Sequence, residues 1–320
     1  MTDQVDAIAR AVLYEGYLLY PYRPSSVKNQ VRWTFGGLLP RDYSEATGGS
    51  DPWTMRTECL LLGAEGCRLD VTVRFLRLLE RRAAGEPPWQ EAEERAVSAE
   101  AASLAELRPA PISAAIRLEG GRARGDGPDA AVTREWRPLE GSVEVRAEPV
   151  AEGADRVTVL VRNTTPLPGA DRMRREDAVL SSLAATHAVL RAEGGRFVSL
   201  ADPPEPLREA AAACRNTGAW PVLVGDPARQ DTVLASPIIL EDFPRVAEES
   251  PGDLFDATEI DEILTLRILT MTDEEKAEMR RGDERARRLL ERTEGLGPGD
   301  LARLHGTIRS LRPVPPEARS

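Results

Sequence analysis

The sequence predicts an α+β protein, with an antiparallel sheet built from hairpins in the N-terminal half, a mixed helix and strand second half, and a helical C-terminal region. Three observations lead there. In 67–79 (CRLDVTVRFLRLL) Cys67, Leu69, Val71, Val73 and Phe75 alternate with Arg68, Asp70, Thr72 and Arg74, the period of a strand with one buried face. In SVEVRAEPV, Val143, Val145 and Ala147 are answered by Val157, Val159 and Val161 of RVTVLVRN across the polar turn AEGAD. From Asp256 to about Thr293 the composition is helical: Ile260, Ile263, Leu264, Leu266, Ile268 and Leu269 lie almost all round the first turns, and charges dominate afterwards.

In chain order, 5–20 places Val5, Ile8, Val12 and Leu13 near helical spacing and stops at Pro21. Residues 31–39 have strand character, interrupted by Gly36-Gly37. MRTECLLL (55–62) is expected to pair with 67–79 across a GAEG turn, and 142–150 with 156–163. Between these hairpins, 83–135 is rich in Ala, Glu, Arg, Gly and Pro. It reads as a helix over 90–107 and a loop over 120–130 that is either poorly ordered or very exposed. In the second half, 171–193 carries Ala178, Leu183, Ala185, Val189 and Leu190 at helical spacing before Gly194-Gly195. RFVSL, the helix LREAAAACRN, WPVLVG and TVLASPIIL follow. At 320 residues two domains are expected: 1–165, β-rich with the insertion 83–135, and 166–320, mixed α/β with C-terminal helices.

Composition narrows the function classes. Hydrophobic residues make up 41% and charged residues 30%, mean hydropathy is -0.36, and no stretch approaches the roughly 18 apolar residues of a membrane span. Forty-two Lys+Arg against 53 Asp+Glu give a net charge of -11, which repels a polyanion, so no nucleic-acid partner is expected. The opening MTDQVDAIAR lacks the features of a secretory signal, so the expected compartment is the cytoplasm, with reduced thiols.

The common catalytic and phosphate-binding motifs are absent: HExxH, GxSxG, GxxxxGK[ST], and GxGxxG between a strand and a helix. No cofactor is expected. His187 lies within SSLAATHAVL and His305 near the C-terminus; for His187 a buried structural role is preferred over general-base catalysis. Cys59 and Cys67 would face each other across the first hairpin. That arrangement suits core packing and, as an alternative, a metal or cluster site. Cys214 ends an alanine-rich helix and is expected to be unreactive. Asp253, Asp256, Glu259, Asp261 and Glu262 crowd ten residues, either capping a helix N-terminus or presenting an acidic surface.

All five tyrosines, Tyr14, Tyr17, Tyr20, Tyr22 and Tyr43, fall in the first 43 residues, with Trp33, Phe35, Arg23, Lys28 and Arg32 among them. Tyr, Trp and Arg dominate binding hot spots, and the same residues would suit a folded N-terminal cap. On the first reading Tyr14, Tyr17, Tyr20, Tyr22, Arg23, Arg32 and Trp33 bind a partner protein.

The strings LYEGYLLYPYRPSSVKNQVRWTFGGLLP, SSLAATHAVL, RFVSLADPPE, CRNTGAWPVLVG, SPIILEDFP and ESPGDLFDATEIDEILTLRILTMTDEEK together resemble a family of uncharacterised bacterial proteins encoded within nickel–iron hydrogenase gene clusters, notably in actinobacteria. The likeness spans about 10–295. It implies a non-catalytic accessory role in hydrogenase assembly, maturation or protection, with a hydrogenase subunit or another accessory protein as partner. A thiol-based metal- or cluster-handling factor and an enzyme with an unmotified pocket are the alternatives.

Overall fold

The computed structural model describes residues 36–85, 88–125, 131–244 and 271–280, together with Val5, Asp6, Ile8 and Ala9 and six positions between Arg287 and Gly295. The chain divides into a unit of 1–18 with 24–246 and a unit of 19–23 with 247–320.

The first unit is organised by one 29-residue strand, β1 (Thr54–Arg82). Beside it run β2 (Trp89–Ser103), β5 (Thr133–Trp136), β7 (Ala154–Asn163) and β8 (Ala184–Val198). β7 pairs with Thr54–Leu62, and β2 takes over the same edge from Arg68 onward. The opposite edge carries β8 from Leu60 to Leu76 and then β5 at Glu80–Arg82. With β3 (Ile112–Leu118), β4 (Gly121–Arg124), β6 (Leu139–Ala151), β9 (Trp220–Leu223) and β10 (Thr232–Ser236), the sheet has ten strands. Its main path is β3-β6-β7-β1-β8-β10-β9, and every pairing is antiparallel. Strands from either side of residue 165 therefore share one sheet.

The α+β expectation is corrected by this sheet: strands account for 50% of the described residues and the helices are short. They are α1 (Arg41–Ala46), α2 (Leu104–Leu107), α3 (Arg175–Ala178), α4 (Arg208–Ala212) and α5 (Asp273–Arg280). The second unit, taken alone, contributes α5 and helical positions from Arg287 to Glu294, where Glu294 pairs with Lys276 and Arg280. Residues 256–270, on which the helical C-terminal region mostly rested, lie outside the described residues.

The 142–150 and 156–163 hairpin forms as expected, as β6 and β7. The 55–62 and 67–79 hairpin does not, because both runs belong to β1. Between Gly63 and Arg68 β1 advances five positions while β8 advances two, from Gly195 to Glu193. Three residues, Ala64, Glu65 and Gly66, are thus thrown out into solvent as a bulge. The polar GAEG marks a break in pairing, which periodicity alone cannot distinguish from a turn. Parity survives the bulge, so Cys59 and Leu61 before it and Cys67 to Phe75 after it face one apolar core, with Val143, Val159, Leu190, Phe197 and Val233.

Two further helix expectations fail. The span 90–107 is β2 followed by the single turn of α2. Its Ala and Glu favour helix by a few tenths of a kcal/mol per residue, less than a long ladder with β1 that buries Trp89, Ala99 and Ala102 provides. The span 171–193 is α3, short 3-10 turns and then β8, whose residues Ala184–Leu190 are buried on both faces. A strand apolar on both faces carries no alternation to mark it. Residues 121–124 of the expected loop pair with β5 and are exposed from Arg122 to Arg124, as one form of the expectation had it, while 126–130 lie outside the described residues.

Gly194 and Gly195 are not a helix stop. Gly194 has φ +78, and a Cβ on Gly195 would sit 2.5 Å from Cys67 Sγ and 2.9 Å from the Leu62 carbonyl oxygen. Gly195→Ala is expected to destabilise by about 1–3 kcal/mol through overpacking, and Cys67→Ala alone by on the order of 1 kcal/mol. Combining them should recover part of the Gly195→Ala loss, which denaturant melts of the three variants would measure.

Candidate interaction surface

The chain enters β9 through a tightly fixed segment. Arg56 and Thr217 exchange backbone hydrogen bonds of 2.9 and 2.8 Å. Asn216 Oδ1 accepts from Glu58 N at 2.7 Å and from Thr57 Oγ1 at 3.0 Å. The buried Glu58 carboxylate accepts from the Arg56 guanidinium, from Arg215 N at 2.6 Å and from Thr158 Oγ1 at 3.3 Å. Burial alone would raise the Glu58 pKa, but the Arg215 N–H and the Arg56 charge outweigh it and hold the carboxyl below its ordinary value.

β9 is the edge of the sheet, and Pro221 within it has no N–H to offer a further strand. Leu223 is closed off by 242–243: its N–H donates to Asp242 Oδ1 at 2.8 Å, and its carbonyl accepts from Phe243 N at 2.6 Å. Asp242 Oδ2 also accepts from Ser199 Oγ. One carboxylate thus joins β9, the turn after β8 and the segment after β10. In that last segment Ile238 and Leu240 pack against Val189, Val222 and Leu234 together with Val5, Ile8 and Ala9. Alternation then turns Ile239 outward, 76% exposed. Trp220, 39% exposed, pairs in register with Ser236, whose hydroxyl donates to the Ile238 carbonyl at 2.8 Å. These are the two exposed large hydrophobic residues among the described residues, held by neighbours with little freedom.

The residues singled out from the sequence fall differently. Tyr14, Tyr17, Tyr20, Tyr22, Arg23, Arg32 and Trp33 lie outside the described residues, as do Asp253, Asp256, Glu259, Asp261 and Glu262. Tyr43 is described, buried with Leu39, Leu167, Ala170 and Ala178. Cys59 and Cys67 do not face each other. They lie eight positions apart on one strand, roughly 15–25 Å at about 3.3 Å per residue allowing for the bulge, too far to share a metal ion. Burial pushes both thiols up, Cys59 most strongly, and raises Cys214 to about 11 with Glu58 adding to the effect. The raised values work against the thiolate form that a metal takes. Among the described residues no three His, Cys, Asp or Glu side chains gather as a metal site.

His187 is in β8 rather than in a helix, and wholly buried. Its Nδ1–H donates to the Ala185 carbonyl at 3.0 Å, and Nε2 has no partner among the described residues. Between Arg74 and Leu76 of β1, β8 carries one extra residue, at a bulge where Ala185 takes φ 50. A shallow cleft of about 580 Å³ crosses β8 at Gly194 and Gly195, flanked by Leu62, Arg196, Arg229 and Asp231. Both glycines are accounted for by backbone and packing, so the cleft follows from the fold.

Sequence reasoning read Trp220 and Ile239 only as parts of short apolar strands, WPVLVG and TVLASPIIL. The available signals were Pro221, which restricts a strand to an edge, and the run Ile238-Ile239-Leu240, whose members cannot all point inward. No family model matches the chain, and no curated protein matches it. No helix among the described residues is long and apolar enough to cross a membrane.

Proposed function

We propose that the protein is a non-catalytic accessory factor for nickel–iron hydrogenase assembly, maturation or protection, that it works in the cytoplasm, and that it acts by binding a hydrogenase subunit or another accessory protein. The observation that carries the interaction part is the Trp220 and Ile239 pair, two large apolar side chains exposed on a rigid support. Exposed apolar groups fixed in place lose little entropy on binding, and Trp is the residue most enriched at hot spots. Both lie in strings that carry the resemblance, CRNTGAWPVLVG and SPIILEDFP, and the fold places those strings side by side.

The thiol-based alternative loses support, because its two cysteines lie far apart on one strand. Affinity purification of the tagged chain from its own host under hydrogenase-inducing conditions tests the proposal. Stoichiometric recovery of an identified hydrogenase subunit or accessory protein supports it. Recovery of neither, with the target proteins present in the extract, contradicts it.

A further inference from the structure

Beyond Phe75 the core-facing positions of β1 become charged, at Arg77 and Arg81. The neighbouring guanidiniums are matched: Arg81 and Arg134 share Glu91, at 3.6 and 2.6 Å, and Arg95 takes Glu93 at 2.5 Å. Glu93 lies opposite Arg77 in the ladder with β2, but its ion pair is with Arg95. Arg77, only 5% exposed, thus has no ion pair among the described residues. Its contacts are neutral. Nη2 donates to the carbonyl of Glu119 and, at 3.1 Å, to that of Arg137, and the Trp136 ring centre lies 5.6 Å from Cζ. Nε is buried with no partner, while Nη1, also without a hydrogen bond, reaches solvent. Burial and the Arg95 charge lower the Arg77 pKa against the opposing effect of Glu93. Buried cations are ordinarily matched by an anion, because neutral dipoles replace only part of the lost hydration.

We propose that Arg77 anchors a carboxylate-binding site at this end of the core, with the ligand's carboxylate on Nη1. The anchor is held in place before any ligand arrives. A Cβ on Gly121 would come within 2.8 Å of the Trp136 ring, and one on Gly120 within 2.9 Å of Pro138 Cδ. The turns that carry the two carbonyls are therefore packed on each other, and they fix the guanidinium in one orientation. Arg77 and Arg95 set against Glu93 leave one positive charge uncompensated, which suits a monoanion better than a phosphate dianion. A small organic acid and a peptide C-terminus present that same group.

Titration of the full chain at constant ionic strength tests this, with acetate, N-acetyl dialanine, its C-terminal amide, phosphate and chloride as probes. The readout is the Arg77 Nε–H resonance, assigned by its loss in Arg77→Lys. Acetate or the dipeptide acid should shift it saturably, and should raise the melting temperature above that in chloride. Equal affinity for the two acids identifies a free small acid as the ligand, and tighter binding of the dipeptide identifies a chain terminus. Arg77→Met, which keeps the apolar stem, should weaken binding about tenfold or more, the scale of a hydrogen bond to a charged group. The resonance is read on the wild-type chain, so it decides even where Arg77→Met fails to fold. No saturable shift with either acid, an equal shift with chloride or the amide, tighter binding of phosphate than of acetate, or undiminished binding by folded Arg77→Met would each overturn the proposal.

Discussion

Replacing Arg108 by alanine is expected to cost about 2–3 kcal/mol, the loss when a charged hydrogen-bond partner is removed from a buried carboxylate. Asp155, on β7, is wholly buried. Arg108, just after α2, meets it two-pronged, Nε to Oδ1 at 2.8 Å and Nη2 to Oδ2 at 2.9 Å. Arg108 Nη1 also lies 3.5 Å from Glu65 in the β1 bulge. One guanidinium thus ties the chain after β2 to the β7 ladder beside the point where β1 changes neighbours. Alanine there leaves a carboxylate out of water without a cation. Adding Asp155→Asn removes that charge and should recover a substantial part of the loss. Urea unfolding of both variants measures it; a cost below about 1 kcal/mol for Arg108→Ala would place the pair with exposed ones.

Acid should weaken the fold through His187. Burial, with Arg74 opposing a second positive charge, lowers its pKa to about 4 despite the hydrogen bond to Ala185, against an ordinary 6.5. Above pH 6.5 the ring is neutral in both folded and unfolded chains and adds no pH dependence. As pH falls from 6.5 to 4, the unfolded chain takes up a proton that the folded one refuses. Stability then drops by about 1.4 kcal/mol per pH unit, roughly 3 kcal/mol in all. Carboxylates also titrate in part of this window, so the comparison is with His187→Gln, whose unfolding free energy should lack that slope between pH 6.5 and 4. Parallel profiles for the two proteins would mean that His187 has access to water.

What the sequence made legible, and what it did not, follows from how each element is buried. The β6–β7 hairpin could be read because each strand buries alternating residues and its turn is polar. β1 was half legible: its alternation was plain on both sides of residue 65, but its continuity depends on β8, which pairs with it before and after the bulge. β8 was hidden because Ala184–Leu190 are buried on both faces. β2 was hidden because its residue types favour helix locally and only pairing with β1 decides otherwise. At the candidate surface, the Asp242 contacts join residues 43 and 19 positions apart in the chain, to Ser199 and Leu223, and no local pattern announces them. Exposure of Trp220 and Ile239 follows from that arrangement.

The most direct measurement of the central claim is the affinity of the purified chain for the partner proposed for it, a hydrogenase component recovered by affinity purification, compared with that of Trp220→Ala and Ile239→Ser. Ile239 is 76% exposed, so Ile239→Ser should keep the wild-type melting temperature within about 1–2 °C, the scale of a few tenths of a kcal/mol; Trp220, 39% exposed, also packs part of its ring, so Trp220→Ala is compared at a temperature where it remains folded. Each hot-spot loss of about 2 kcal/mol should weaken binding roughly 30-fold. Undiminished affinity in both variants, with folding intact, would contradict the assignment of this surface.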